Sequence, residues 1–136
     1  MIGPDGKWNK NVSPVNWYVA SILMRFEWYD ENQDNLNRRC LAWENQIIVK
    51  ATNPEEAYVK AVEHGKLHEE GEVWEVDNEK RKGRWRFEGL TSLLAIYDEL
   101  EDGAEIVWKR YENRSVKKVK SWVKPKEELE VFDSSE

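Results

Sequence analysis

Arginine alternates with aromatic rings in the stretch KGRWRFEG, residues 82–89. Neighbouring side chains of a strand point to opposite faces, so the pattern predicts Trp85 and Phe87 in the core and Arg84 and Arg86 outside. Arginines on an outer strand face can contact phosphates, and exposed rings beside them can stack on bases. Because these rings point inward, a half-buried strand with a solvated charged face is the alternative.

A second basic stretch could extend this row of charges. Lys118, Lys120 and Trp122 alternate with valines in a segment that we predict to be the last strand. If the two strands are neighbours, the candidate binding surface consists of Arg84, Arg86, Lys118, Lys120 and Trp122. Trp122 would be its exposed ring. A net charge of -6 opposes nucleic-acid binding, which is therefore the second interpretation of this surface.

Three other groups of residues could do chemistry, and each has a simpler structural explanation. His64 and His68 have metal-ligand spacing, but Gly65 interrupts the helix that would align them. Cys40 follows two arginines that could activate a thiol, yet no base is placed beside it. An acidic turn lacks the alternating pattern of a calcium loop; it contains Asp98, Glu99, Glu101, Asp102 and Glu105. We therefore predict no catalytic, metal or cofactor residues.

Composition indicates a soluble protein with uneven charge. Eight Trp, five Tyr and three Phe in 136 residues supply a large apolar surface for burial, and 35% of the residues are charged. The net charge is -7 over residues 1–79, +6 over 80–126 and -5 over 127–136. One cysteine cannot form an internal disulfide, which favours the reducing cytoplasm. No apolar run is long enough to suggest membrane insertion.

The first half of the chain predicts a flexible arm, a hairpin and a helix. Residues 1–16 are rich in Gly, Pro, Asn and Ser and have no hydrophobic period. Apolar residues alternate from Trp17 to Trp28 and again over 41–50, which predicts two paired strands joined by a polar loop. Asn53 as cap and Pro54 in the first turn begin a helix over 54–64, and Gly65 should end it.

The second half predicts mainly strands. Residues 72–77 and 84–89 alternate and should be joined by a charged turn over 78–83. Residues 90–101 favour a strand, with a helix as the alternative. Residues 104–112 and 116–123 should form a closing hairpin, which would end a single domain over 17–124, and 125–136 should be a disordered acidic tail. We predict an α+β fold in the order β-β-α-β-β-β(-β), with five or six antiparallel strands and the helix on one face.

Four short motifs occur in an order that resembles a known bacterial family, catalogued as domain of unknown function 4288. The resemblance covers about residues 17–108. The residues that carry it are Trp17, Tyr18 and Ala20 in the first strand, Glu56 and Ala57 in the helix, Trp85, Phe87 and Gly89 in a later strand, and Gly103 and Glu105 in a turn. The resemblance implies a small stand-alone bacterial domain with these residues as scaffold, and it implies no activity.

The absence of catalytic motifs, together with surplus tryptophan, favours a non-enzymatic binding or accessory protein. Aromatic and arginine residues are common anchors of protein interfaces. We expect a protein partner on the exposed face of the sheet, with a homodimer possible and no membrane contact. The alternatives are a nucleic-acid-binding module, which would use the basic strands at 80–86 and 109–124, and a metal-dependent enzyme at the acidic turn.

Overall fold

The computed structural model describes residues 9–132 of the chain. Its sheet contains β1 (Trp17–Trp28), β2 (Ala42–Lys50), β3 (Gly71–Val76) and β4 (Glu79–Ala95), all antiparallel and in the order β2-β1-β4-β3. Helix α1 (Pro54–Leu67) follows β2, and a short helix α2 (Val116–Ser121) follows β4. The α+β class with one main helix is confirmed. The described residues hold four strands, however, rather than the predicted five or six.

The predicted hairpin of the first two strands is confirmed. Trp17 pairs with Lys50 and Arg25 with Ala42, and the polar residues between the strands form turns. β1 also pairs with β4 along most of its length, so it lies in the middle of the sheet. This position explains its nearly continuous apolar sequence, because both of its faces are largely covered.

Helix α1 begins as the sequence predicts. The Asn53 side chain accepts a hydrogen bond from the Glu56 N–H at 2.8 Å, and Pro54 occupies the first turn. The carboxylate of Glu56 accepts from the Thr52 hydroxyl at 2.9 Å. The start of the helix is therefore fixed by side chains that satisfy otherwise unpaired backbone and hydroxyl donors.

The predicted end of α1 at Gly65 is wrong, because the helix continues to Leu67 and has His68 as its C-cap. Gly65 is buried within the helix, above the ring of Phe87 in β4. A Cβ atom at position 65 would lie 2.3 Å from Cε1 of Phe87. The glycine is thus required for close packing of the helix on the sheet rather than for a left-handed cap.

Small residues bring α1 onto the sheet. Ala57 and Ala61 are fully buried and pack against Tyr18 and Ala20 of β1. The cluster is completed by Val49 and Ala51, with Ile47, Leu90, Leu93 and Ala95 partly buried around it. This core lies between the helix and one face of the sheet, as predicted.

The connection between β3 and β4 differs from the prediction. Asp77 and Asn78 form a two-residue turn with φ values of 52° and 66°, which suits hairpins because its twist matches that of the strands. The charged residues 79–83, predicted as a turn, belong to β4. Since their side chains alternate between the faces of a paired strand, charge there does not oppose strand formation.

β4 extends to Ala95, so the strand interpretation of residues 90–95 is confirmed, and 96–101 continue without a strand. Its register against β1 shifts twice, leaving Thr91 and Glu88 without a Cα partner. Gly89 lies between these bulges with φ 147°. Bulges increase local twist, and a glycine accommodates the unusual backbone angle between them.

The predicted closing hairpin over 104–123 is wrong. Residues 104–112 form no strand, and 116–121 form α2, whose N-cap Ser115 accepts from the Lys118 N–H at 3.0 Å. No residue of α2 is buried, and α2 contacts no strand of the sheet. Without a neighbouring strand, a segment that can satisfy its backbone groups locally forms a capped turn of helix instead.

The segment before β1 is joined to the end of β4. Of the predicted flexible arm, residues 1–8 lie outside the described residues. Ser13 is fully buried, and its hydroxyl donates to the carbonyl of Ile96. The same hydroxyl oxygen accepts from the Trp17 N–H at 3.2 Å, while the Ser13 N–H donates to Tyr18 Oη at 3.0 Å.

The predicted acidic tail is described only to residue 132. Two 3-10 turns lie at Lys126–Glu128 and Glu130–Phe132, and none of their residues is buried. Residues 133–136 lie outside the described residues, so the disorder predicted there stays a prediction.

Candidate binding site

Arg84 and Arg86 of the KGRWRFEG stretch lie on the sheet face opposite α1, around a buried carboxylate. Arg25 pairs with Arg86 across β1 and β4, and Glu27 pairs with Arg84. Oxygens of Glu27 lie 3.2 Å from Arg25 Nη2, 3.4 Å from Arg84 Nη2 and 3.6 Å from Arg86 Nη1. The Glu27 residue is only 6% exposed. Three guanidinium groups therefore surround one carboxylate.

This arrangement controls the protonation of Glu27. Burial alone would raise its pKa, but the hydrogen bond from Arg25 and the charges of Arg86 and Arg84 outweigh that effect. The pKa of Glu27 consequently lies below its ordinary value. The group is a carboxylate at neutral pH and compensates the arginines.

Charge compensation weakens the case for a phosphate-binding face on β4. Besides Glu27, Arg86 has Glu69 at 3.6 Å, and Arg25 has Glu88 at 3.2 Å. A shallow depression of about 330 Å³ beside Arg84 and Arg86 also has Glu69 and Glu70 in its lining. Since these arginines are paired with carboxylates, little uncompensated positive charge is left there to attract a polyanion.

The other three candidate residues are not brought to this surface. Lys118 and Lys120 lie on α2 and Trp122 is its C-cap, so the prediction that they extend the β4 row is wrong. Trp122 is 39% exposed and packs against Tyr111, with ring centroids 4.8 Å apart. The candidate surface thus divides into a compensated strand face and a separate basic segment.

Two of the remaining chemical candidates make local structural hydrogen bonds. The Asp98 carboxylate accepts from the Glu105 N–H at 3.1 Å, which helps to close the acidic turn at Gly103, where φ is 86°. The His68 ring nitrogen Nδ1 lies 2.7 Å from the carbonyl of His64 at the end of α1. Cys40 is exposed and unpaired. Residues 9–132 contain no group of three or more His, Cys, Asp or Glu that could hold a metal ion.

The scaffold residues suggested by the family motifs occupy consistent places. Trp17, Tyr18 and Ala20 begin β1, and Glu56 and Ala57 lie in the first turns of α1. Phe87 is packed under Gly65, and Gly89 lies between the β4 bulges. Glu105 takes part through its backbone N–H. These positions fix the helix, the bulges and the turn.

A feature that the sequence reasoning did not single out lies on the α1 side of the sheet, beyond the end of the helix. We call it the aromatic patch; it consists of Phe26, Trp28, Trp43, Trp74 and Trp85. Ring centroids of neighbouring members are 4.8 to 5.7 Å apart. Phe26 is 3% exposed, whereas Trp43 is 55% and Trp74 is 37% exposed. The surplus of tryptophan in the sequence was the available signal.

The patch contains a narrow cleft beside the packed rings of Trp43 and Trp85, and both residues belong to its lining. Their ring centroids are 5.2 Å apart and the rings are inclined at 49°. The cleft has a volume of about 150 Å³, and Glu70 and Glu72 are the acids in its lining. Indole N–H groups of Trp85 and Trp74 donate to the two oxygens of Glu72 at 3.2 and 2.5 Å. Glu72 is therefore held in a fixed orientation at the edge of the cleft.

A larger cleft, of about 660 Å³, lies at the other end of the sheet. Its lining includes Leu93, Leu94, Tyr97 and Trp108, with Lys10 as its charged residue. Apolar and neutral groups predominate, so this cleft has no arrangement that indicates acid–base chemistry. In the described part of the chain, no helix has the length and apolar character needed to cross a membrane.

Comparison with known proteins identifies the family to which the chain belongs. No curated protein and no solved structure matches the chain. The model of the family described as Domain of unknown function (DUF4288) matches residues 17–108. That range holds the four strands and α1, whereas α2 and the 3-10 turns lie beyond it. Because the match covers well over half of the sequence, this chain belongs to the DUF4288 family.

Proposed function

We propose that this protein is a non-enzymatic module that binds another protein through its aromatic patch. The observation that carries the proposal is the exposure of Trp43, at 55%, on top of rings that are themselves held in place. Helix α1 packs on the Tyr18 end of this sheet face and ends before the patch. Partly exposed tryptophans on a rigid base are common energetic centres of protein interfaces.

Charge favours a basic protein as the partner. The chain has a net charge of -6, so two copies would repel each other, whereas a positively charged protein would be attracted. A homodimer is therefore the less favoured assembly. The exposed free thiol of Cys40 supports a reducing compartment, and we place the complex in the cytoplasm.

The first test locates the contact. Benzoylphenylalanine, a photo-crosslinking residue that keeps an aromatic ring at position 43, is expected in place of Trp43 to capture one defined basic protein in the native cells. The matched control position is Tyr58 on α1, which has a similar exposure of 54% but lies outside the patch. Once the partner is known, Trp43→Ala should weaken its affinity by about 10- to 100-fold, the usual effect of losing an interface hot spot.

Two results would contradict this proposal. One is an identical set of captured proteins from positions 43 and 58, which would indicate nonspecific contact. The other is a Trp43→Ala variant that binds the identified partner as tightly as the unchanged protein. Capture of a second copy of this chain from position 43 would replace the basic partner by a homodimer.

Nucleic-acid binding by residues 109–124 is the second candidate function. The charge and exposure of this segment favour it. The segment has seven Lys or Arg residues, no buried side chain and the Tyr111–Trp122 ring pair. Exposed rings among cations suit single-stranded nucleic acid. The acidic residues at 127–136 would compete with phosphate for these cations.

Salt dependence tests the second candidate. The affinity for a single-stranded oligonucleotide should fall roughly 10-fold or more between 50 and 200 mM salt, because condensed counterions are released on binding. Removal of 127–136 should raise the affinity, and replacing both Lys118 and Lys120 by alanine should lower it. Binding that is absent, or independent of salt, in both the full-length and the truncated protein would exclude this function.

A further inference from the structure

We infer that the cleft beside Trp43 and Trp85 receives an arginine side chain of the partner protein. This inference rests on the proposed function, since it assigns the chemistry of one contact within the aromatic patch. The cleft of about 150 Å³ is small beside the usual pockets for drug-sized ligands, of about 300–1,000 Å³. It can accommodate a single side chain that enters from a partner.

The walls of the cleft suit a planar cation. A guanidinium group is attracted to the face of an indole ring and can stack on it, and tryptophan is the strongest such partner. Trp43 presents an exposed ring, and the Trp85 ring is turned so that its N–H donates to Glu72. A ring face is therefore available on at least one side of an entering group.

The rim of the cleft supplies negative charge in a fixed position. Glu72 is oriented by two indole N–H groups, and the backbone N–H of Trp85 donates to the backbone carbonyl of Glu70 at 2.8 Å. No lysine or arginine is among the described residues that line the cleft. Each oxygen of Glu72 accepts one of these bonds, and a carboxylate has about four acceptor sites, so acceptors remain for an incoming guanidinium.

The same patch already holds one arginine in this manner. The guanidinium carbon of Arg81 lies 4.3 Å from the centroid of the Trp28 ring, and its nitrogens bind Asp30 with distances down to 2.8 Å. An indole face and a carboxylate thus bind a guanidinium within the molecule. The cleft presents the same pair of groups, in Trp43 with Glu72, without an arginine of its own chain.

The test uses the full-length protein and a short acetylated, amidated Gly-Arg-Gly peptide. A matched peptide has citrulline, which keeps the shape of arginine but is neutral. Titration is followed by the indole N–H signals in NMR spectra. We expect the Trp43 and Trp85 signals to shift with a Kd of a few mM, the range in which a contact of about 3–4 kcal/mol falls.

Variants assign the binding to the cleft. Trp43→Ala and Glu72→Gln should each weaken the arginine peptide by about 3- to 10-fold, in keeping with a cation–π contact at a partly exposed site. Trp108→Ala removes another exposed indole, 58% exposed and outside this cleft, and should change nothing. The citrulline peptide should bind at least about 5-fold more weakly than the arginine peptide, because it lacks the charge that both contacts need.

Equal binding of the two peptides would overturn the inference, as would unchanged Trp43 and Trp85 signals at about 20 mM peptide, where a millimolar site is near saturation. Neither result would affect the proposed function if crosslinking from position 43 still captured its partner. Loss of that crosslink, by contrast, would overturn the proposed function, and with it the assignment of the cleft to a partner's arginine, even if the peptide still bound.

Discussion

Replacement of Phe26 by alanine should lower the free energy of unfolding by about 3–5 kcal/mol, the usual cost of removing a buried phenylalanine ring. Phe26 is 3% exposed and contacts three tryptophan rings, those of Trp28, Trp74 and Trp85, at centroid distances of 4.8, 5.0 and 5.3 Å. Its loss removes apolar burial and also the support under the exposed rings. Chemical denaturation followed by far-UV circular dichroism measures the change.

Trp43→Ala provides the matched comparison. Trp43 belongs to the same patch but is 55% exposed, so its removal should cost about 1 kcal/mol or less. Phe26→Leu should fall between the two, since it keeps much of the volume. If Phe26→Ala cost no more than Trp43→Ala, the patch would not be organised around a buried ring.

Replacement of Glu27 by glutamine should lower the free energy of unfolding by about 2–3 kcal/mol at neutral pH, which is less than the effect of Phe26→Ala. Breaking a buried ion pair by removing one partner costs about 3–5 kcal/mol. The value here is smaller because the side chains of Arg84 and Arg86 are 44% and 38% exposed and can turn to water. Thermal or urea denaturation at pH 7 measures the difference.

The Glu27 contribution should also depend on pH in a defined direction. Its pKa is lowered in the folded protein, so its stabilising effect is complete above the ordinary glutamate pKa of about 4.3. The effect is lost as the pH falls through the lower, folded-state pKa. The stability difference between the unchanged protein and Glu27→Gln should therefore be constant near neutrality and shrink in acid.

Glu69→Gln is the control for this experiment. Glu69 also pairs with Arg86, at 3.6 Å, but its side chain is 39% exposed, so the change should cost less than about 1 kcal/mol. A Glu27→Gln deficit that persisted unchanged below about pH 3 would show that its charge is not responsible. A deficit as small as that of Glu69→Gln would show that burial does not strengthen the pairing.

Local sequence signals predicted the elements whose structure depends on neighbouring residues. The first hairpin, the start of α1 and the inward alternation of the core strand follow from period and capping chemistry. The end of α1 could not be predicted in this way, because Gly65 is required by its packing against Phe87, which lies twenty-two positions away in the sequence. The closing hairpin was wrong because alternation alone cannot supply a neighbouring strand, and α2 contacts none.

The candidate site shows the same limit. Alternation assigned Arg84 and Arg86 to one strand face, as the register confirms, but it could not reveal that Glu27 of the neighbouring strand β1 lies opposite Arg84. The aromatic patch combines residues of all four strands, so no single stretch of sequence displays it. Abundant tryptophan was visible from the start, whereas the exposure of Trp43 depends on where α1 ends.

The hydrogen bonds of Ser13 have a practical consequence for anyone who expresses this domain in part. The family match begins at Trp17, yet the Ser13 hydroxyl joins the segment before β1 to Ile96 after β4. A fragment cut at Trp17 would leave the Trp17 N–H, the Tyr18 hydroxyl and the Ile96 carbonyl without these partners. The physical unit therefore starts at least four residues earlier than the segment that sequence comparison recognises.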